Sequence, residues 1–190
     1  MISRRALPVT MVSAAAHQAA AAPPVPPGNT LAFRLVRHGD EIGHHTATFE
    51  RDGDQLTVRV AMDALVTVVS IPLVRYTHRV VEVWSGDTLL SLKGETERYI
   101  APEPVGATSY WNKHMLKKPM VGLEDGVLLH PTVVARPPQA ITLASGRAIA
   151  AEHYNLSGPF NVDLWYDQNG VWAGMAVPIK DGSIVRYERS

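Results

Sequence analysis

The sequence predicts an all-β protein: a curled antiparallel meander, half-barrel or barrel, with one short helix near 108–116. Three observations predict it. After Leu31 the apolar residues recur mostly with period two, which sets them on one face of a strand. Gly-Asp, Asp-Gly and Asn-Gly pairs punctuate these runs, and such pairs are hairpin chemistry. Pro72 and several glycines supply bending points, which favour a curled sheet or barrel over a sandwich.

The elements follow in order. Leu31, Phe33 and Leu35 alternate with Ala32, Arg34 and Val36, and Gly39-Asp40 turns the chain. Ile42–Arg51 is a second strand, Asp52-Gly53 a second turn, and Leu56–Leu65 a third alternating strand. Val66–Leu73 is almost wholly apolar and contains Pro72. Proline donates nothing to a ladder, so a bulge, corner or edge belongs there. Arg75–Trp84 and Thr88–Glu97 complete a five-stranded meander. Ala101–Gly106 is a loop, and Thr108 is the N-cap of a helix that runs from Ser109 to about Leu116 and ends at Pro119. Strand signals return at Met120–Leu123 and Val127–Val134, where Pro137-Pro138 interrupts. They continue at Ile141–Ala144, Arg147–Leu156, Phe160–Tyr166, Val171–Ile179 and Ile184–Arg189.

Composition excludes several classes. The 190 residues carry 18 basic and 18 acidic side chains, without the basic surplus of a nucleic-acid partner. There is no cysteine, which removes disulfides, thiolate metal sites and cysteine nucleophiles. No stretch is apolar enough to cross a bilayer in the mature chain. Arg4 and Arg5, the weakly apolar Ala6–Ala16 and small residues near Ala21 read as an export signal over 1–22. The general secretory route fits better than the twin-arginine route. A Pro-rich tether over 23–28 and one β domain over 29–190 follow. The expected compartment is the periplasm or the exterior.

The segment Arg75–Trp84 carries the chemistry. Tyr76, His78, Val80, Glu82 and Trp84 share one face, and Arg75, Thr77, Arg79, Val81 and Val83 the other. An imidazole and a carboxylate between two aromatics form either a buried polar network or the wall of a site. His78 and Glu82 stand about 13 Å apart along a strand, so each needs a cross-strand partner. His44 and His45 point to opposite faces, so they do not share a metal ion, and the other histidines lack ligand spacing. Ser109 lies in no Gly-x-Ser-x-Gly elbow. Trp165 falls on a mostly polar face with Asp163 and Asp167, and Lys113, Lys117 and Lys118 cluster at the helix.

Four stretches also carry a family likeness: Gly39–His45, Tyr76–Trp84, Thr108–Asn112 and Asp163–Asp167. In these the chain resembles the bacterial family DUF6134. The resemblance implies a curved antiparallel sheet, similar in style to periplasmic half-barrels that handle lipids or hydrophobic ligands, and implies no established activity. Family members carry a longer segment where Arg98–Ala107 stands here, which implies a shorter sheet or a wider mouth.

Taken together, the residues favour a binding module without cofactor. Its ligand is a lipid or other hydrophobic small molecule, with Tyr76, His78, Glu82, Trp84, Tyr110 and Trp111 as the ligand-binding set. Two alternatives stay open: a hydrolase or isomerase using His78 with a carboxylate, and a structural or assembly protein docking a protein partner.

Overall fold

The computed structural model describes residues 25–68, 71–94, 98–100, 105–123 and 126–190. The export signal expected at 1–22 and the start of the tether lie outside them. Among the described residues fourteen strands form in chain order. The first meander is β1 (Thr30–Arg37), β2 (Asp40–Asp52), β3 (Gln55–Val68), β4 (Ile71–Ser85), β5 (Thr88–Gly94) and β6 (Arg98–Ile100). Three short strands follow: β7 (Gly106–Ala107), β8 (Met120–Val121) and β9 (Leu128–Leu129). The second meander is β10 (Thr132–Thr142), β11 (Ala148–Ser157), β12 (Val162–Tyr166), β13 (Trp172–Pro178) and β14 (Ile184–Arg189).

Eleven of these strands make one antiparallel sheet in the order β10-β11-β12-β13-β14-β1-β2-β3-β4-β5-β6. The two meanders are joined where β1 pairs with β14. The sheet is open, because β6 and β10 stand at its two ends. The chain must therefore cross from one end of the sheet to the other between β6 and β10. It does so over one face. The crossing segment, described over 105–123 and 126–131, contains the small sheet β7-β8-β9 and buries Val105, Ala107, Tyr110, Trp111, Met115, Leu116, Met120 and Val121. These side chains belong to the same apolar cluster as Phe33, Phe49, Leu56 and Trp84 of the first meander and Leu164, Tyr166 and Trp172 of the second. The sheet curls around a plug made of its own chain. Each fully buried large apolar side chain contributes about 2–3 kcal/mol of transfer free energy.

Three local expectations are corrected. The helix near 108–116 is only a 3-10 turn, Lys113–Lys117. Thr108 does not cap it; Asn112 does, its side-chain oxygen accepting from the His114 N–H. Tyr110 shows why the helix cannot start earlier: its φ of 56° is left-handed, which no helix tolerates. Pro137-Pro138 does not interrupt a strand. β10 runs through both, with a register shift between Arg136 and Gln139. The extra residues there form a bulge against β11, and β10 is an edge, the place where proline costs least. Val25–Gly28, assigned by sequence to the tether, lies on the domain: Val25 packs against the core and a 3-10 turn, Pro27–Asn29, leads into β1.

The expectation at Pro72 is met. Val66 pairs with Val74 but Thr67 with Pro72, so Leu73 is the extra residue of a bulge. At Gly43 the backbones of β2 and β3 approach so closely that a Cβ would stand 2.0 Å from the Asp63 carbonyl oxygen. Only glycine fits.

Candidate functional site

One cross-strand row organises the site. Phe33 on β1 pairs with His45 on β2, His45 with Met62 on β3, and Met62 with His78 on β4. All four project to the plugged face, because strand alternation repeats every second residue. Tyr76 precedes His78 by two and stacks beside it, ring centroids 6.2 Å apart. Trp172, Met175, Val177 and Tyr187 bring β13 and β14 against the same row, and Thr108, Tyr110, Leu123 and Leu129 of the plug lie opposite. Between them is a cavity of about 420 Å³. That falls within the range of small-molecule pockets, about 300–1,000 Å³. Among the described residues that line it, none is Asp, Glu, Lys or Arg.

His45 is the unusual member. It is 6 % exposed, and neither ring nitrogen has a hydrogen-bond partner among the described residues. Aromatic edges hold it in place: Phe33 at 5.9 Å, Trp172 at 5.3 Å and Tyr187 at 5.6 Å between ring centroids. Burial, with a smaller effect from His78, pulls its pKa from 6.5 down to about 4. The fold keeps this ring uncharged. Beside it, the Tyr187 hydroxyl donates to the Met62 sulfur at 3.1 Å.

Tyr110 forms part of the opposite wall in its left-handed conformation. The buried Tyr166 hydroxyl donates to its carbonyl at 2.8 Å. That bond fixes a conformation a tyrosine would otherwise leave, and such strain tends to collect at functional positions. Burial drives the Tyr110 and Tyr166 phenols well above their ordinary pKa, so both stay protonated.

The six residues expected from sequence divide into two sets. Tyr76, His78 and Tyr110 line the cavity. Glu82, Trp84 and Trp111 do not; they form a packed polar network farther along the sheet. Glu82 is fully buried, and its Oε2 accepts from the Trp84 indole at 2.7 Å and the Trp111 indole at 2.9 Å. Burial raises its pKa, opposed by Ser109, Trp111 and Trp84 in that order. Ser109 is equally enclosed and near enough to favour the carboxylate, though its hydroxyl meets no hydrogen-bond geometry among the described residues. Trp84 and Trp111 meet edge to face, centroids 5.6 Å apart. This network ties the plug to β4. His45, Met62, Trp172, Met175 and Tyr187 do not stand out from sequence. A signal for His45 is present nonetheless: it shares the inward face of β2 with Ala47 and Phe49, whereas His44 faces solvent beside Glu41.

The remaining sequence features are structural. Trp165 is buried, not exposed: His153 stacks on it at 4.9 Å, and it packs with Ala151, Ala176 and Ile141. Asp163 and His153 share a hydrogen bond of 2.8 Å. Asp167 closes the Asn169-Gly170 turn by accepting from the Asn169 and Val171 N–H groups. The lysine cluster is dispersed. Lys113 binds Glu152 at 2.9 Å, and Lys118 donates to the Asp87 carbonyl. Among the described residues no group of three or more His, Cys, Asp or Glu could hold a metal ion, and no helix is long and apolar enough to cross a membrane.

No curated protein and no solved structure matches the chain. A family model does, over two overlapping segments, residues 33–98 and 90–190. Both the cavity row and the plug fall inside that match, and the chain belongs to DUF6134, a domain of unknown function.

Proposed function

We propose that this is an exported, non-enzymatic binding protein that holds a small hydrophobic molecule between the plug and the sheet. The observation that carries the reading is the cavity of about 420 Å³, walled by aromatic, thioether and aliphatic side chains and, among the described residues, by no Asp, Glu, Lys or Arg. Ligand sites have this composition: a mostly apolar wall with few polar groups. The volume suits a compact ligand. The apolar side chains of the plug are already packed into the same cluster as those of the sheet. Export is supported by the basic and apolar pattern at the start of the sequence.

Catalysis by His78 with a carboxylate finds less support. Glu82 lies outside the cavity and is engaged by two indoles, and no other carboxylate among the described residues lines the wall.

The test is uptake of the uncharged dye N-phenyl-1-naphthylamine, with mass spectrometry of organic extracts of the purified protein. Saturable dye uptake is expected. Val177 is half-buried on the cavity wall, so Val177→Trp should fill the space and lower dye affinity about tenfold without lowering the unfolding temperature by more than a few degrees. No saturable uptake by the native protein, or unchanged affinity in a folded Val177→Trp, would remove the cavity as a binding site. Detection of the mature chain in a periplasmic or culture-fluid fraction, cut near residue 22, checks export.

A further inference from the structure

We infer that the cavity's ligand is an uncharged molecule with a compact apolar body and one hydroxyl group, and that this hydroxyl docks on the ring of His45. The inference deepens the binding reading above and rests on it.

His45 carries the argument. A buried polar group ordinarily has a hydrogen-bond partner. His45 lines the cavity, is 6 % exposed, and has none on either nitrogen among the described residues. An uncharged imidazole offers one donor and one acceptor. A hydroxyl serves whichever nitrogen it meets: it donates to the bare nitrogen or accepts from the N–H. A carbonyl serves only the second. The ring is already fixed by Phe33, Trp172 and Tyr187. Binding therefore loses little side-chain freedom there.

The wall supplies the other half of the argument. With no Asp, Glu, Lys or Arg among the described residues that line the cavity, a carboxylate or ammonium would be buried there without a counter-ion, which is strongly unfavourable. His45 does not become that counter-ion, since burial and His78 both disfavour its charged form. Of the other polar groups nearby, Tyr187 donates to Met62 and Thr108 accepts from the Leu123 N–H. The aromatic rings of Trp172, Tyr110, Tyr76 and Phe160 suit a flat apolar body.

Three matched probes decide it: 2-naphthol, naphthalene and 2-naphthoate, titrated into the full chain at pH 7.5 by tryptophan fluorescence. 2-Naphthol should bind about tenfold tighter than naphthalene, and 2-naphthoate more weakly than either. His45→Phe should weaken 2-naphthol until its affinity lies within about twofold of that of naphthalene for the same variant. Should that variant fail to fold, imidazole ¹⁵N shifts of the native protein give the answer: 2-naphthol must move the His45 signals and naphthalene must not. Equal affinity for 2-naphthol and naphthalene, tightest binding of 2-naphthoate, or unmoved His45 signals would overturn the hydroxyl anchor while leaving a hydrophobic site in place. Absence of binding by both 2-naphthol and naphthalene would remove the site and the anchor together.

Discussion

Acidification from pH 7.5 to 4 forces a proton toward a ring that the fold holds uncharged. The pKa of His45 falls from 6.5 to about 4 on folding, through burial first and His78 second. The folded chain thus binds this proton less readily than the unfolded chain. Stability linked to His45 is complete above 6.5, declines as pH drops, and levels off below about 4. Each tenfold in proton affinity is about 1.4 kcal/mol, so the loss comes to about 3 kcal/mol. The ring is almost wholly enclosed, so solvent screens little of it. Glu82 runs the other way: burial raises its pKa, so its contribution is complete at low pH and declines as pH rises through its folded value. Comparison with His45→Phe cancels Glu82 and the surface carboxylates. Phenylalanine fits among Phe33, Trp172 and Tyr187, which already meet the imidazole as an aromatic. Urea unfolding of both proteins at half-unit pH steps is the assay. The native curve should lose about 3 kcal/mol more than the variant between pH 7.5 and 4. Parallel curves would show that His45 is not buried uncharged, and the hydroxyl anchor would fall with it.

Two further substitutions separate scaffold from site. Glu82→Gln keeps an acceptor for both indoles and should change urea stability by less than about 1 kcal/mol, whereas Glu82→Leu strands two buried N–H groups and should cost about 2–5 kcal/mol. Equal effects of Gln and Leu would show that the indoles do not depend on that acceptor. Gly43→Ala sets a Cβ 2.0 Å from the Asp63 carbonyl oxygen, so thermal unfolding should report a loss of about 3 kcal/mol; a neutral result would mean that β2 and β3 do not approach as described.

The sequence is most legible where one period dominates. Tyr76–Trp84 alternates without a break, and its inward face is the one that is buried. The Asn169-Gly170 turn and the Pro72 bulge follow from backbone chemistry alone. Legibility fails where tertiary placement overrides local signals. Thr108 followed by Ser109 and Asn112 looks like a helix start, yet the left-handed Tyr110, held by Tyr166 from a distant strand, forbids one. Pro137-Pro138 reads as a break unless β10 is known to be an edge. Glu82 and His78 share a strand face, but only the three-dimensional position of the plug separates a core network from a cavity wall. Read along the chain, His45 merely stands beside His44 on the opposite face; its real company, Phe33 and Met62, is visible only across strands.

The β1–β14 seam has a kinetic consequence. Arg34 and Glu188, 154 positions apart, form an ion pair across it, and the Ser190 N–H reaches the Ala32 carbonyl at 2.9 Å. Each meander is assembled from sequence neighbours, but the middle of the sheet unites the earliest strand with the latest. Pairing over such separations is slow. Until β14 arrives, β1 presents a bare edge to any passing strand, and Phe33 and His45 lack the Trp172 and Tyr187 that enclose them. During synthesis the molecule thus has a long vulnerable interval, one that a holding chaperone would shorten or shield.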